Sequence, residues 1–290
     1  MFIAEKPFSV IQCDKNIGLA IISNNLLHEL CTQHLSYNKT YLKLDSNPLK
    51  ECCLQIKAKL DVLIKDKQLN IKLARLVPSN PKLGKFRLLA KLHKNNFDVR
   101  PIINNNKHLT SKLCKLIDLI IQPILRSTET YIKDSQHLLQ KCEKLIIKNQ
   151  NVFLYSMDFK ALYTNVNKLH TVQLITEYIG MHLDSMYITP LAFNVILSKI
   201  FDYNIFAYKS NGVNKIQYYK QINGLAMGCI CGPTIASLFV YILEKKWLMI
   251  HKPLFYVRFI DDINLISYTK LDENDFKSYF LNLELNLIEV

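Results

Sequence analysis

No stretch of this chain is long and apolar enough to span a bilayer, and Met1-Phe2-Ile3-Ala4-Glu5-Lys6-Pro7 lacks the apolar core of a secretory leader. A soluble intracellular protein is expected, with nucleus or cytoplasm left open. Paired-cysteine motifs are missing too: there is no CxxC and no histidine pair at zinc spacing. The eight cysteines, Cys13, Cys31, Cys52, Cys53, Cys114, Cys142, Cys229 and Cys231, therefore read as reduced, mostly buried thiols. No internal repeat or disordered linker interrupts the chain. Arginine is scarce, occurring only at Arg75, Arg87, Arg100, Arg126 and Arg258, so the net charge of +13 and pI near 9.2 come mostly from lysine. Such an excess favours a polyanionic partner. A hydrophobic fraction of 49% with 21% charged residues, over 290 residues, is ample for a folded core.

Local patterns then divide the chain. Val10-Ile11-Gln12-Cys13 and Leu19-Ala20-Ile21-Ile22 read as strands around Asp14-Lys15-Asn16, and Ser23 caps a helix running toward His34. A lysine-rich helical segment is expected between Thr40 and Ala74, ending before Pro78 and Pro81. Asn95-Asn96, between Leu88-Leu89-Ala90 and Val99, marks a hairpin. Thr110 opens a helix whose apolar positions Leu113, Leu116, Ile117, Ile120 and Ile121 keep a helical period until Pro123, and Ser135 caps another through Leu138, Leu139, Cys142, Leu145 and Ile146. Both read as core helices. Thr189-Pro190 starts a further helix, Asn211-Gly212 a hairpin, and Gly232-Pro233 a helix with Lys245-Lys246 at its C-terminal end. The sum is an α+β, palm-like arrangement with helices backing an antiparallel sheet.

The chemistry concentrates in acids. Phe259-Ile260-Asp261-Asp262 lies between the apolar runs Leu254-Phe255-Tyr256-Val257 and Ile263-Asn264-Leu265-Ile266, so two adjacent carboxylates rise from a buried hairpin. Like charges side by side repel and are costly to desolvate, which a divalent cation relieves. Asp158, ending the apolar strand Val152-Phe153-Leu154-Tyr155-Ser156-Met157, supplies a third oxygen donor. Three acids of this kind point to Mg²⁺ and phosphoryl transfer.

Five segments, in order, carry a family resemblance. They are Cys13-Asp14-Lys15-Asn16; Arg87-Leu88-Leu89-Ala90-Lys91-Leu92-His93-Lys94 with Val99-Arg100-Pro101-Ile102; Met157-Asp158-Phe159-Lys160-Ala161-Leu162-Tyr163-Thr164-Asn165; Gln221-Ile222-Asn223-Gly224-Leu225-Ala226-Met227-Gly228 running to Pro233; and Tyr256-Val257-Arg258-Phe259-Ile260-Asp261-Asp262-Ile263. Together the chain resembles reverse transcriptases, those of Penelope-like retroelements above all. Two departures stand out: Cys229, Ile230 and Gly232 replace the usual small polar residues and proline, and Phe259 replaces a tyrosine.

The resemblance implies an α+β polymerase right-hand fold with fingers and palm. It divides the chain into an N-terminal α/β extension at 1–72, fingers at 73–150 and a palm at 151–290, with the thumb expected to be missing. It implies an RNA-directed DNA polymerase in which Asp158, Asp261 and Asp262 are catalytic. Asp158, the Phe159 carbonyl, Asp261 and Asp262 would hold two Mg²⁺, with Mn²⁺ as substitute. Lys91, Arg100, Phe159, Tyr163, Gln221 and Gly228 would bind the nucleotide, Lys91 and Arg100 at its phosphates. Tyr163 would leave no room for a 2′-hydroxyl, and Phe259 would pack against the primer end. The implied partners are an RNA template, a DNA or RNA primer and dNTPs, with no membrane and with protein partners undetermined. Three alternatives stay open: a truncated or domesticated product that only binds nucleic acid, an RNA-templated RNA polymerase and, ranked lowest, a metal nuclease.

Overall fold

The structure is a computed structural model that describes residues 7–73, 75–92, 97–148, 151–183, 187–209, 216–281 and 283–289. Contacts gather the chain into two compact units, Met1–Cys114 with Ser198–Ile230, and Lys115–Leu197 with Cys231–Val290. Elements are numbered in chain order.

The first unit begins with an antiparallel ribbon of β1 (Phe8–Gln12) and β2 (Leu19–Ser23). Ser23 caps α1 (Asn24–Leu35) as expected, its hydroxyl accepting from the Leu26 N–H at 3.2 Å. The Thr40–Ala74 segment is not helical throughout. It opens with β3 (Tyr41–Leu44) and only then forms α2 (Leu49–Lys65), while Ala74 lies outside the described residues. Short alternating runs such as Tyr41-Leu42-Lys43-Leu44 need a partner strand to become strands, and that partner is distant in sequence. It is β8 (Gln217–Gln221), with Tyr41 opposite Gln221.

The expected hairpin around Asn95-Asn96 is present: β4 (Gly84–Lys91) and β5 (Asp98–Asn104), which carries Arg100, pair antiparallel from Lys85↔Asn104 to Lys91↔Asp98. β7 (Ile205–Tyr208) joins β8 antiparallel, with Tyr208 opposite Gln217. The turns His93–Asn96 and Asn211-Gly212 lie outside the described residues. The five strands run in the order β3-β8-β7-β4-β5, and one pair, β4 with β7, is parallel, so this sheet is mixed. Beneath it Tyr41, Phe86, Phe206, Tyr208 and Tyr219 interlock edge-to-face and stacked.

α3 (Ser111–Arg126) starts where expected but runs through Pro123. The missing N–H would have reached the carbonyl of Leu119, a residue 72% exposed, so the helix continues on a face open to water. α4 (Ser135–Glu143) departs from expectation in three ways: its cap is Asp134, which accepts from His137 N–H at 2.9 Å, it ends short of Leu145 and Ile146, and it buries none of its residues.

The second unit holds the sheet β11-β6-β10-β9, built from β6 (Phe153–Phe159), β9 (Phe255–Phe259), β10 (Asp262–Ser267) and β11 (Leu285–Glu289), antiparallel throughout. Tyr155, Met157 and Phe159 point into the core, and Leu154, Ser156 and Asp158 point out. The helices here are α5 (Leu162–Asn165), α6 (Lys168–Gly180), α8 (Gly232–His251) and α9 (Glu273–Ser278). α7 (Pro190–Asp202) has the expected proline start, with Ala192 N–H donating to the Thr189 hydroxyl at 3.2 Å.

α8 is apolar nearly all round and correspondingly buried from Thr234 to Tyr241 and again at Leu243 and Glu244. It extends to His251, so Lys245-Lys246 sit inside it rather than at its end. Among the described residues no helix is long and apolar enough to cross a membrane.

Candidate active site

The acid-bearing turn is set by strand register. Asp262 begins β10 directly opposite Phe259, the last residue of β9, which leaves Ile260 and Asp261 as a two-residue connection. On its other side β10 pairs with β6, and Asp262 lies directly opposite Asp158. Residues opposite each other in an antiparallel pair share a face, so Asp158 and Asp262 project from the same exposed side of the sheet. Asp261 is half-buried, and its carbonyl accepts the Phe159 N–H at 3.2 Å. Register thus sets Asp158 opposite Asp262, with Asp261 next to Asp262 in the turn.

Ile260 adopts φ 57°, a left-handed conformation costly for a β-branched residue. What holds it is a buried network that the motifs did not reveal. Arg258, 4% exposed, donates to the Ile260 carbonyl at 2.7 Å and to the Ser237 carbonyl at 2.8 Å. It also grips Glu244 of α8 with two bonds, 2.7 and 3.2 Å long. Glu244 is fully buried and also accepts from the Thr130 and Tyr256 hydroxyls at 2.6 and 2.9 Å. Burial and the neighbouring carboxylate push the Tyr256 phenol far up, so it stays a donor. A signal was available in the sequence: Arg258 interrupts an apolar strand and Glu244 an apolar helix, and buried charges of this kind come in pairs.

A second support lies under β6. The Phe159 ring meets Phe280 at 5.3 Å, Phe280 meets Phe276 at 4.9 Å, and Phe276 meets Trp247 of α8 at 4.9 Å. This chain of rings fixes the strand end that carries Asp158. Tyr163, in α5, is half-buried, and Phe259 is 43% exposed beside the turn.

The remaining expected site residues belong to the first unit. Lys91 reaches Asp98 across the hairpin at 2.7 Å, and Arg100 reaches Asp14 at 3.2 Å. Asp14, from the N-terminal motif, is 5% exposed and its Oδ2 has no hydrogen bond among the described residues. Its partnership with Arg100 was not evident from sequence, because 86 residues separate them. Gln221 is buried and donates to the Asn223 carbonyl at 2.8 Å. Gly228 has φ +112°, and a Cβ there would stand 2.2 Å from the Ile103 carbonyl oxygen. Its glycine is demanded by contact with β5, where Ile103 N–H donates to the Met227 carbonyl at 2.8 Å. The donors are all carboxylates, Asp158 and Asp262 on an exposed sheet face and Asp261 in the adjoining turn, a donor type that suits a hard divalent cation such as Mg²⁺.

Solved structures share this fold. In solved structures the chain is similar to apo telomerase of Candida tropicalis truncated from its C-terminal domain, at 14% identity and TM-score 0.61, covering 98% of this chain and 59% of that one. Telomerase of Candida albicans in complex with a TWJ fragment of telomeric RNA gives 12% identity and TM-score 0.59, over 98% and 50%. A structure described as RNA-dependent RNA polymerase, vp4 and dsRNA gives 11% identity and TM-score 0.52, over 98% and 27%. At these identities the likeness concerns the fold, the α+β right-hand polymerase fold, and the chain spans only about half to three fifths of the telomerase chains. No curated protein matches. The reverse transcriptase (RNA-dependent DNA polymerase) family model matches residues 92–284, about two thirds of the sequence, and the chain accordingly belongs to that family.

Proposed function

We propose that the chain is the polymerase part of a retroelement reverse transcriptase of Penelope-like type, extending a primer 3′-hydroxyl with dNTPs on an RNA template. The observation that carries this is the register match of Asp262 with Asp158 beside the constrained turn at Asp261, within a sequence of the family. Asp158, Asp261, Asp262 and the Phe159 carbonyl would hold two Mg²⁺, or Mn²⁺, which when bound supply Lewis-acid stabilisation of the charge that develops in phosphoryl transfer.

The chain's own residues do the rest. Arg258 keeps the turn, and with it Asp261, in one orientation. Lys91 and Arg100 offer cations to the triphosphate, exchanging Asp98 and Asp14 for phosphate oxygens. The Lys91–Asp98 pair is a weak partner to displace, because Asp98 is nearly half exposed and such pairs contribute about 1 kcal/mol or less. The Tyr163 ring excludes a 2′-hydroxyl, and Phe259 packs against the primer end. The assignment of fingers to 73–150 and palm to 151–290 belongs to the same proposal.

The test is primer extension on a poly-rA template with Mg²⁺ or Mn²⁺. Extension with dNTPs should fall by about 10³-fold or more in Asp158→Asn and Asp261→Asn, equivalent to ~4 kcal/mol, and by less in Asp262→Asn. Preferential use of rNTPs would make the protein an RNA-templated RNA polymerase. Nucleic-acid binding that survives Asp261→Asn, with no metal-dependent extension by the unaltered chain, would make it a binding protein only.

A further inference from the structure

Buried in the first unit is a directional hydrogen-bond relay that the polymerase reading does not use. His108, 2% exposed, places Nε2 3.0 Å from the Ile205 carbonyl and Nδ1 2.8 Å from the Thr110 hydroxyl. A carbonyl only accepts, so Nε2 carries the proton. Burial also holds the ring neutral, with a pKa pushed down to about 4. Nδ1 is then a lone-pair acceptor, and the Thr110 hydroxyl donates to it. Thr110 Oγ1 is left to accept, and it accepts the Cys114 S–H at 3.8 Å. With its proton directed at Thr110, the Cys114 sulfur has lone pairs to present to Cys229, whose Sγ lies 3.7 Å away.

We propose that Cys114 and Cys229 are an oxidative modification site, closed to a reversible disulfide by a hydroperoxide. Cys229 is the less enclosed of the two residues, half-buried where Cys114 is 3% exposed, although its sulfur is itself covered. Its sulfur attacks one peroxide oxygen and the O–O bond breaks. Two electrons pass from sulfur to the peroxide, and with hydrogen peroxide the thiol proton leaves with the departing oxygen as water. Cys229 is now a sulfenic acid. The Cys114 sulfur attacks the Cys229 sulfur, the S–O bond breaks as the S–S bond forms, and the hydroxyl departs with the Cys114 proton as a second water. Cys229 follows Gly228, whose segment is already hydrogen-bonded to Ile103, so the new bond straps that segment to the first turn of α3.

Peptide mapping without reductant, on the native full chain treated with hydrogen peroxide, tests this directly. The expected product is a linked Cys114–Cys229 peptide pair, lighter by two hydrogens than the separate thiols and restored by dithiothreitol. Exposed Cys142 serves as the internal competitor. Thr110→Val, which removes the acceptor for the Cys114 proton, should slow formation of the linked pair and leave oxidation of Cys142 unchanged. Oxidation confined to Cys142 with Cys114 still open to alkylation, or a bond from Cys229 to Cys231 instead, overturns the proposal.

Discussion

His108 is the residue whose environment most changes its chemistry. Its folded-state pKa of about 4 lies below the value near 6.5 of an unfolded chain, so between those limits the unfolded state binds a proton that the folded state refuses. Stability is therefore lost as pH falls through this window, by an amount on the order of 3 kcal/mol. Urea unfolding measured at neutral pH and at pH about 5 should show roughly 2 kcal/mol of that loss in the unaltered chain, the rest coming only as pH falls to about 4, and a flatter dependence in His108→Gln. Equal slopes would mean that the ring is not held neutral. Tyr163 poses a separate residue-scale question. Tyr163→Ala should raise rNTP incorporation relative to dNTP incorporation in the primer-extension assay, and an unchanged ratio would assign the sugar choice to another side chain.

At the scale of elements, the β9–β10 turn and the segment around Gly228 are each held by a feature that can be removed. Arg258→Met leaves Glu244 charged and buried without its guanidinium, which should cost roughly 3 to 5 kcal/mol in denaturant unfolding. Adding Glu244→Gln should recover part of that stability. Primer extension should stay depressed in the double variant, because the Ile260 carbonyl still lacks its donor. For Gly228→Ala the added Cβ meets backbone at 2.2 Å in a left-handed conformation, so a loss of roughly 2 to 5 kcal/mol is expected. Gly84→Ala is a useful contrast. Its Cβ meets the Ile103 and Asn105 side chains at 2.5 and 2.6 Å, and side chains can yield where a carbonyl cannot, so the cost should be smaller. Thermal or urea unfolding of the two variants side by side decides the order.

For the molecule as a whole, the net charge of +13 sets the expected behaviour toward nucleic acid. Binding to an RNA–DNA duplex should weaken log-linearly with salt, by several orders of magnitude between about 50 and 200 mM if six or more phosphates are engaged. A fluorescence anisotropy titration across that range measures the slope. A flat response would remove the polyanion reading of the lysine excess and leave it as surface composition.

Much of the fold was written locally. The Ser23 cap, the Thr189-Pro190 start and the apolar run leading to Asp158 depend on neighbours a few residues away, and each formed close to where expected. The ordered motifs likewise pointed to Asp158, Asp261 and Asp262, whose strands pair so that Asp158 lies opposite Asp262. Features that depend on distant partners were not legible. β3 exists because β8 lies beside it, Arg100 meets Asp14 across 86 residues, and Glu244 is tolerable in an apolar helix only because Arg258 neutralises it. Period and capping report what a segment can form alone. Which strand it pairs with, which buried charge is answered, and which glycine touches a foreign carbonyl were decided by tertiary packing, since each is a contact between residues that the chain order keeps apart.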